Sequence, residues 1–334
     1  MRRTRITTAA IGLMAAAGLV LSGCANGDTD GASPNAGSGE ETFDVYALLP
    51  QGTDQPYGTT YLPPMEETAA ELGISLTITN SQYDADAQAS ECEVAVAAQP
   101  DLIILWPAVG DTIRPCLSAA NAAGIPVTVT NSDVNPEDKD LIEAYSGPDT
   151  YGQGVSSAEI MCDLADGEDI GILVVNGLTG NSTAINRNAG FVDTIEAECP
   201  NVSILAEQPG NWNKDDSQIA VSEMLTAVGP ENVDGIYAAD DTMVAGAIDA
   251  LKARGIDPEP LHITSIGNTF LGNPLVKSGE LDGTVFQSSS WDGENAVRLA
   301  HAVLTGGDYE TDLFMPSVKV TAENADDPAV APEW

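Results

Sequence analysis

The chain has 334 residues, enough for two domains, and 43% of them are apolar, enough for a substantial core. Its 51 acidic residues outnumber its 12 basic residues and give a formal net charge of −39, which excludes nucleic-acid binding because nucleic acids are bound by basic surfaces. The two histidines, His262 and His301, lie far apart in the sequence and do not suggest a metal site.

The start of the chain has the pattern of an export signal. A basic stretch precedes an apolar segment over residues 9–21, which is too short to span a membrane as a permanent helix. The segment ends in Leu-Ser-Gly-Cys24, which resembles the bacterial lipoprotein box. We therefore expect residues 1–23 to be a signal peptide and Cys24 to carry lipid; an ordinary signal peptide with an incidental cysteine is the alternative. Residues 24–42 are rich in small polar residues and are expected to form a flexible tether.

From residue 43 onward, apolar runs of strand length alternate with segments of helical length. In the first half the predicted strands are 43–49, 74–79, 102–105, 125–130 and 141–145. The predicted helices are 66–72, 86–98 and 112–123. This alternation predicts a parallel sheet with helices on both faces.

The same pattern restarts near residue 150. The predicted strands of the second half are 170–176, 202–206, 235–238, 263–266 and 281–286. The predicted helices are 151–164, a helix that starts near 181, 217–227, 242–253 and 294–304. Two α/β lobes of comparable size follow from this repetition.

Polar or aromatic residues follow the predicted strands, at the sheet edge where open α/β folds bind ligands. Arg187 is the most informative of them, because cations are scarce in this chain and it lies on the second turn of the helix that follows strand 170–176. We expect it to contact a ligand. The alternative is a surface arginine that pairs with a nearby acid.

Four segments carry a resemblance to a known family. They are Ile125-Pro-Val-Thr-Val129, Arg187-x-x-Gly-Phe191, Ala239-Asp-Asp-Thr-Met243 and Gly283-Thr-Val-Phe-Gln287. Each is weakly specific alone, but in this order and spacing they resemble the bacterial sugar-binding proteins of the ribose-binding type, which feed ABC transporters. The resemblance covers about residues 43–320. LacI-type repressors share the fold but begin with a DNA-binding helix-turn-helix, where this chain has the leader.

The resemblance implies an α/β fold of the periplasmic-binding-protein-like I type, with two Rossmann-like lobes, each built on a parallel sheet. A hinge of three crossing segments, near Pro148, Gln287 and Ser317, would join them. The N-terminal lobe is then expected to comprise 43–148 plus 288–317. The C-terminal lobe is expected to comprise 149–287 plus 318–334.

The contact positions of that family map onto ten residues of this chain. They are Gln55, Tyr57, Trp106, Asn131, Ser132, Arg187, Trp212, Asp240, Asn268 and Gln287. Aromatic faces can stack on a sugar ring, while amides, carboxylates and an arginine can bind hydroxyl groups. Trp291 is a further candidate for an aromatic face.

Two departures from the family pattern bear on the ligand. Ribose-type relatives usually carry Asp and Arg where this chain has Asn131 and Ser132, and Asp where it has Asn268. This chain therefore lacks the charge-assisted hydrogen bonds that those Asp and Arg side chains can form with ligand hydroxyl groups. Their loss argues against ribose itself, but not against another neutral polyhydroxylated ligand. Arg187 and Asp240 are expected to neutralise each other in a closed cleft, and Asp241 is expected to cap the helix that follows.

The four cysteines other than Cys24 allow three disulfide pairings, and export favours oxidation. Cys92 and Cys116 lie on predicted helices that neighbour each other in a doubly wound lobe, so we expect them to pair. Cys162 and Cys199 would then pair in the second lobe. Buried free thiols are the alternative.

These features predict an extracytoplasmic solute-binding lipoprotein, not an enzyme, that captures a sugar or polyol and delivers it to an ABC permease. We expect a monomer without cofactor or metal, lipid-anchored to the outer face of the cell membrane. A receptor that reports a sugar or quorum signal to a membrane kinase is the alternative. An enzyme is less consistent with the sequence, which has no Gly-x-Ser-x-Gly elbow, no P-loop and no zinc spacing.

Overall fold

Two six-stranded sheets organise the part of the chain that the computed structural model describes, residues 42–334. The predicted signal peptide, the lipidation site Cys24 and the tether up to residue 41 lie outside the described residues. Within residues 42–334, no helix is both long enough and apolar enough to cross a membrane.

The strands agree with the predicted pattern over most of the chain. In chain order they are β1 Phe43–Leu49, β2 Ile74–Asn80, β3 Leu102–Leu105, β4 Val127–Thr130, β5 Ala144–Pro148, β6 Ile170–Asn176, β7 Val202–Pro209, β8 Gly235–Ala238, β9 His262–Thr264, β10 Gly283–Val285, β11 Asp312–Met315 and β12 Lys319–Thr321. The helices are α1 Pro56–Glu71, α2 Ala85–Ala98, α3 Gly110–Ala123, α4 Thr150–Ala165, α5 Ser182–Glu198, α6 Lys214–Val228, α7 Asp241–Ala253, α8 Gly272–Ser278 and α9 Ser289–Thr305.

Each sheet forms the centre of one lobe. The first sheet has the strand order β11-β5-β4-β3-β1-β2, and all its neighbouring strands are parallel. The second has the order β12-β10-β9-β8-β6-β7, in which only β12 runs antiparallel to its neighbour. Helices cover both faces of each sheet, and central strands are accordingly apolar, β3 over its whole length and β6 up to its last residue, Asn176. In β1, for example, Leu48 packs into one apolar cluster and Leu49 into another on the opposite face.

The chain passes between the two sheets three times. After β5 ends at Pro148, α4 packs against β9 and β10 of the second sheet. After β10, α9 returns to pack against β3, β4 and β5 of the first. The third passage joins β11 of the first sheet to β12 of the second. The α/β fold of two hinged lobes predicted from the sequence is confirmed.

Several predicted boundaries were wrong. Helix α1 begins at Pro56 and not at residue 66, because Pro56 occupies the first helical turn, where its missing N–H costs no hydrogen bond. Residues 136–141 form a short 3-10 helix, so the strand predicted over 141–145 begins only at Ala144. Helix α8 and the strands β11 and β12 were not predicted, since each has only three to seven residues.

Both predicted disulfides are present. Cys92 of α2 is joined to Cys116 of α3, with the two Cα atoms 6.0 Å apart. Cys162 of α4 is joined to Cys199 at the end of α5, with a Cα separation of 5.5 Å. Both separations lie in the range that a disulfide spans, and each bond ties together two neighbouring helices of one lobe.

Candidate functional site

A cavity lies between the lobes, where the loops that follow the parallel strands of both sheets face each other. Its empty space amounts to about 620 Å³ when the part open to solvent is counted. The residues that line it are Gln51, Gln55, Pro56, Tyr57, Tyr83, Trp106, Asn131, Ser132, Asn181, Thr183, Arg187, Trp212, Asp240, Thr242, Gln287 and Trp334.

Nine of the ten predicted contact residues line this cavity; Asn268 does not. Asn268 is fully buried, and its side-chain amide donates to the backbone oxygen of Val330 and accepts from Asn273. Its side chain is therefore occupied in holding residue 330 against the second lobe. Trp291, the further aromatic candidate, also lies outside the lining.

Arg187 is buried, with 4% of its surface exposed, and protein acceptors hold its guanidinium. Its Nε and Nη2 donate to Gln153 Oε1 at 3.0 and 2.8 Å, and Nη1 donates to the backbone oxygen of Ala239 at 2.7 Å. Nη2 also donates to Gln287 Oε1. Because a guanidinium has five N–H donors, one N–H on Nη1 stays available to a ligand. Gln153, which reaches the site from α4, was not predicted from the sequence.

Arg187 and Asp240 were expected to neutralise each other; among residues 42–334 no direct ion pair joins them within 4.0 Å, but the charge of each favours the charged form of the other. Asp240 instead caps α7, accepting from the backbone N–H of Met243 at 2.8 Å. Asp241 was expected to be this cap, but it is the first residue of α7 and accepts from Ser265, Thr284 and the N–H of Thr269. Burial raises the pKa of Asp240 to about 7, while the Met243 N–H and the charge of Arg187 act in the opposite direction.

A second buried carboxylate, Asp292 of α9, lies directly behind the cavity. Its Oδ2 accepts from the Tyr57 hydroxyl and from Asn131 Nδ2, both at 2.7 Å, and its Oδ1 accepts from Thr130 at 3.1 Å. Burial raises the pKa of Asp292 to about 6, and these three donors limit the rise. The carboxylate thus orients two lining residues. Nothing in the sequence distinguished it from the other 50 acids, because its partners come from two distant segments, around residue 57 and at residues 130–131.

Aromatic side chains form much of the cavity wall. The rings of Tyr57 and Trp106 meet edge to face, with centroids 5.5 Å apart, and Arg187 lies 5.9 Å from the centroid of the Trp212 ring. Trp106 is 2% exposed, and within residues 42–334 its Nε1 has no hydrogen-bond partner. An indole N–H in this position can donate to a ligand oxygen. Tyr83 and Trp334 also line the cavity, and neither was predicted.

Three lining residues have backbone conformations that residues other than glycine rarely adopt. The φ angles of Tyr83, Asn131 and Trp212 are 60°, 59° and 58°. At Asn131 the conformation is held by Tyr145, whose hydroxyl donates to the Asn131 backbone oxygen at 2.8 Å. Such conformations cluster at binding sites, where surrounding contacts compensate their cost.

The two lobes contact each other beside the cavity. Residues Asn181–Thr183, at the start of α5, form what we call the latch. Asn181 Nδ2 donates to the backbone oxygen of Ala108 at 3.0 Å, and Ser182 donates to that of Asp133 at 2.5 Å. Thr183 shares a hydrogen bond of 2.8 Å with Ser132. These contacts join the second lobe to loops of the first, so the cleft is closed.

Several known proteins are similar to this chain in sequence. A family model described as a periplasmic binding protein domain matches residues 46–308. A xylitol-binding protein of Mycolicibacterium smegmatis is 29% identical over 322 residues, which are 96% of this chain and 87% of that protein. A putative rhizopine-binding protein of Rhizobium meliloti is 29% identical over 274 residues, with coverage of 81% and 88%.

A solved structure shows the same fold. An ABC transporter solute-binding protein from Bacillus halodurans C-125, with bound myo-inositol, superposes with a TM-score of 0.78 at 24% identity. The superposition covers 87% of this chain and 98% of that one.

Proposed function

This chain belongs to the periplasmic binding protein family, and on that premise we propose that it captures a small, neutral, polyhydroxylated ligand in the cavity between its lobes. The ligand is a sugar or a polyol, and the protein delivers it to an ABC permease. It binds this ligand without converting it.

The observation that carries the proposal is the pairing of aromatic faces with fixed donors in one closed cavity. Tyr57, Trp106 and Trp212 offer ring faces and edges, while Trp106 Nε1 and one N–H of Arg187 remain free to donate. A sugar or polyol presents C–H surfaces and hydroxyl oxygens, which match these two kinds of group.

The charges of the site favour a neutral ligand. Arg187 already has three protein acceptors, and the carboxyl groups of Asp240 and Asp292 already accept from protein donors. Because opposite charges, those of Arg187 and Asp240, lie in the same lining, a charged ligand would meet a charge of its own sign as well as an opposite one, and burying an uncompensated charge is costly. The xylitol-binding relative and the myo-inositol-bound structure support the polyol class.

The ends of the chain and the lobe boundaries belong to the same proposal. We propose that residues 1–23 are removed, that Cys24 carries lipid, and that residues 24–42 tether a monomer to the outer face of the cell membrane. The N-terminal lobe would comprise 43–148 plus 288–317, and the C-terminal lobe 149–287 plus 318–334. The intact mass of protein extracted from the membrane tests the anchor: an unmodified Cys24, or cleavage at another site, contradicts it.

A thermal-shift screen of the purified protein tests the proposed function. The panel contains xylitol, myo-inositol and a set of pentoses and hexoses, with sugar acids and amino sugars as charged counterparts. A ligand that binds only the folded state stabilises it by mass action, so at least one neutral compound should raise the melting temperature. Chromatography of the recovered compound should show it unchanged. A rise confined to charged compounds, or conversion of the bound compound, contradicts the proposal.

A further inference from the structure

Residues Ala331–Trp334, which we call the clasp, lie beside the second crossing and contact both lobes. The family model ends at residue 308, so the clasp lies beyond the part of the chain that it matches. The preceding residue, Val330, is buried, and Asn268 of the second lobe donates to its backbone oxygen. The path of the clasp is thus fixed from its first residue.

On the second-lobe side, Trp334 is held by two hydrogen bonds. Its indole Nε1 donates to the backbone oxygen of Gln287 at 3.1 Å, and its backbone oxygen accepts from the N–H of Phe270 at 2.5 Å. Gln287 is the last residue before the crossing to α9, and its side chain also contacts Arg187. The indole therefore bonds to the backbone of the hinge itself.

On the first-lobe side, the clasp contacts α1 and the start of α9. The Trp334 ring meets the Tyr57 ring edge to face, with the centroids 4.9 Å apart. The Glu333 carboxylate accepts from the N–H of Ser290 at 2.9 Å and from the hydroxyls of Ser288 and Ser289 at 2.8 and 3.3 Å. A carboxylate at a helix N-terminus is stabilised by the free N–H groups and the helix dipole.

From these contacts we infer that the clasp holds the lobes closed and that Trp334 is part of the ligand-contacting wall. Bending at Gln287–Ser288 would move Tyr57 and Ser290 away from Gln287 and Phe270. The clasp contacts Tyr57 and Ser290 on one side and Gln287 and Phe270 on the other. Opening of the cleft must therefore break one of these two sets of contacts. Its effect on ligand affinity rests on the proposed function, whereas its effect on closure does not.

The closure arm of the test needs no ligand. Nitroxide labels are placed at Ala70→Cys on α1 and Ala227→Cys on α6, two exposed helical positions in different lobes. Double electron–electron resonance then measures the distances between the lobes. We expect Trp334→Ala to shift the population of unliganded protein toward the open distance, and Glu333→Gln to shift it less. Trp291→Ala is the matched control, because it removes an indole from α9 that does not line the cavity.

The affinity arm uses the neutral compound that most stabilises the unmutated protein. We expect Trp334→Ala to weaken its binding at least about tenfold, and Trp334→Phe, which keeps a ring against Tyr57, to weaken it less. If Trp334→Ala has the inter-lobe distances of the unmutated protein while it remains folded by circular dichroism, the inference is overturned. If no neutral compound binds the unmutated protein, the proposed function fails, while the label distances still decide whether the clasp closes the cleft.

Discussion

Arg187 reaches the cavity in one fixed orientation, because Gln153, Gln287 and the backbone oxygen of Ala239 occupy four of its five N–H donors. It can therefore offer one hydrogen bond to a ligand, whereas a guanidinium group without protein acceptors could offer two. Its second task is to hold Gln287, whose Nε2 donates to the Tyr57 hydroxyl at 3.0 Å. The arginine is thus linked through Gln287 to the aromatic wall.

Replacing Arg187 with alanine should weaken binding of the identified ligand at least about tenfold. The reason is the loss of a hydrogen bond to a charged group, which contributes roughly 1.5–3 kcal/mol, where 1.4 kcal/mol is a tenfold change in affinity. Titration calorimetry measures the effect. Lys214→Ala removes a half-exposed cation paired with Asp249 on the same lobe and serves as the control. Equal affinity of Arg187→Ala and the unmutated protein would show that the site is wrongly assigned.

Asp292 should make the stability of the protein depend on pH. Its pKa rises from 3.8 to about 6 on folding, so the folded state holds this proton more tightly than the unfolded state. The stabilisation is full below about pH 3.8 and is lost as the pH rises through about 6. Asp292→Asn mimics the protonated group, so its melting temperature relative to that of the unmutated protein should increase between these pH values and then level off.

Calorimetric melting temperatures across this pH range measure the difference. Asp326→Asn is the control, since the Asp326 side chain is 92% exposed and its neutralisation should not produce the same step. A difference that is constant with pH would contradict the role given to the burial of Asp292.

The sequence was sufficient to place residues at the cavity where a strand end alone determines position, while ligand contact by them stays a prediction. Trp106, Asn131 and Arg187 each follow a predicted strand, and each lines the cavity. The prediction failed where contacts with a distant segment of the chain determine the position of the side chain. Asn268 also follows a strand, but the backbone of Val330 takes its amide away from the cavity.

At the scale of elements, the two disulfides join helices that already pack against each other. They close chain separations of 24 and 37 residues, and a closed loop restricts the unfolded chain more as it lengthens. Each therefore adds stability without altering the sheets.

Replacing both Cys162 and Cys199 with alanine should lower the free energy of unfolding by about 2–4 kcal/mol. Urea unfolding followed by circular dichroism measures the loss, and the Cys92→Ala/Cys116→Ala variant gives the comparison for the shorter loop. Alkylation of the unmutated, unfolded and unreduced protein provides the independent check: four reactive thiols from these cysteines would contradict both bonds.

Elements were predicted well where burial dominates the sequence. Strands β1, β3, β6 and β8 have the predicted bounds; β3 and most of β6 are apolar runs, as is typical of strands covered on both faces. Helix α1 begins ten residues before the predicted residue 66, and it contains Pro63 and Pro64. Strands β11 and β12 are short, and β11 is largely exposed, so their pairing depends on the rest of the fold.

For the whole molecule, the dominant electrostatic feature is the excess of 51 acids over 12 bases. Most acidic side chains therefore have no basic side chain to pair with. The ion pairs within residues 42–334 are mostly half-exposed, and each such pair contributes little to the stability of the fold. Repulsion among the remaining carboxylates should therefore destabilise the folded state at neutral pH.

Raising sodium chloride from about 0.1 M to about 1 M at pH 7 should increase the melting temperature, because the screening length falls from about 10 Å to about 3 Å. Calorimetry measures the change. Near pH 4, close to the isoelectric point of about 4.1, the same salt increase should have a smaller effect. A lower melting temperature in high salt at pH 7 would mean that attractive ion pairs outweigh the repulsion.

Helix α5 carries both the latch at its first residues and Arg187 on its second turn. Because a helix moves as a rigid body, a single motion of α5 brings the latch into contact with the first lobe and moves the Arg187 guanidinium into the cavity. A substitution of Ser182, the latch residue that does not line the cavity, would change the fraction of molecules that are ready to bind, and would scale the affinity for every ligand by the same factor. A substitution in the wall would change the ranking of ligands instead. Sensitivity and selectivity can thus be adjusted independently on a single scaffold.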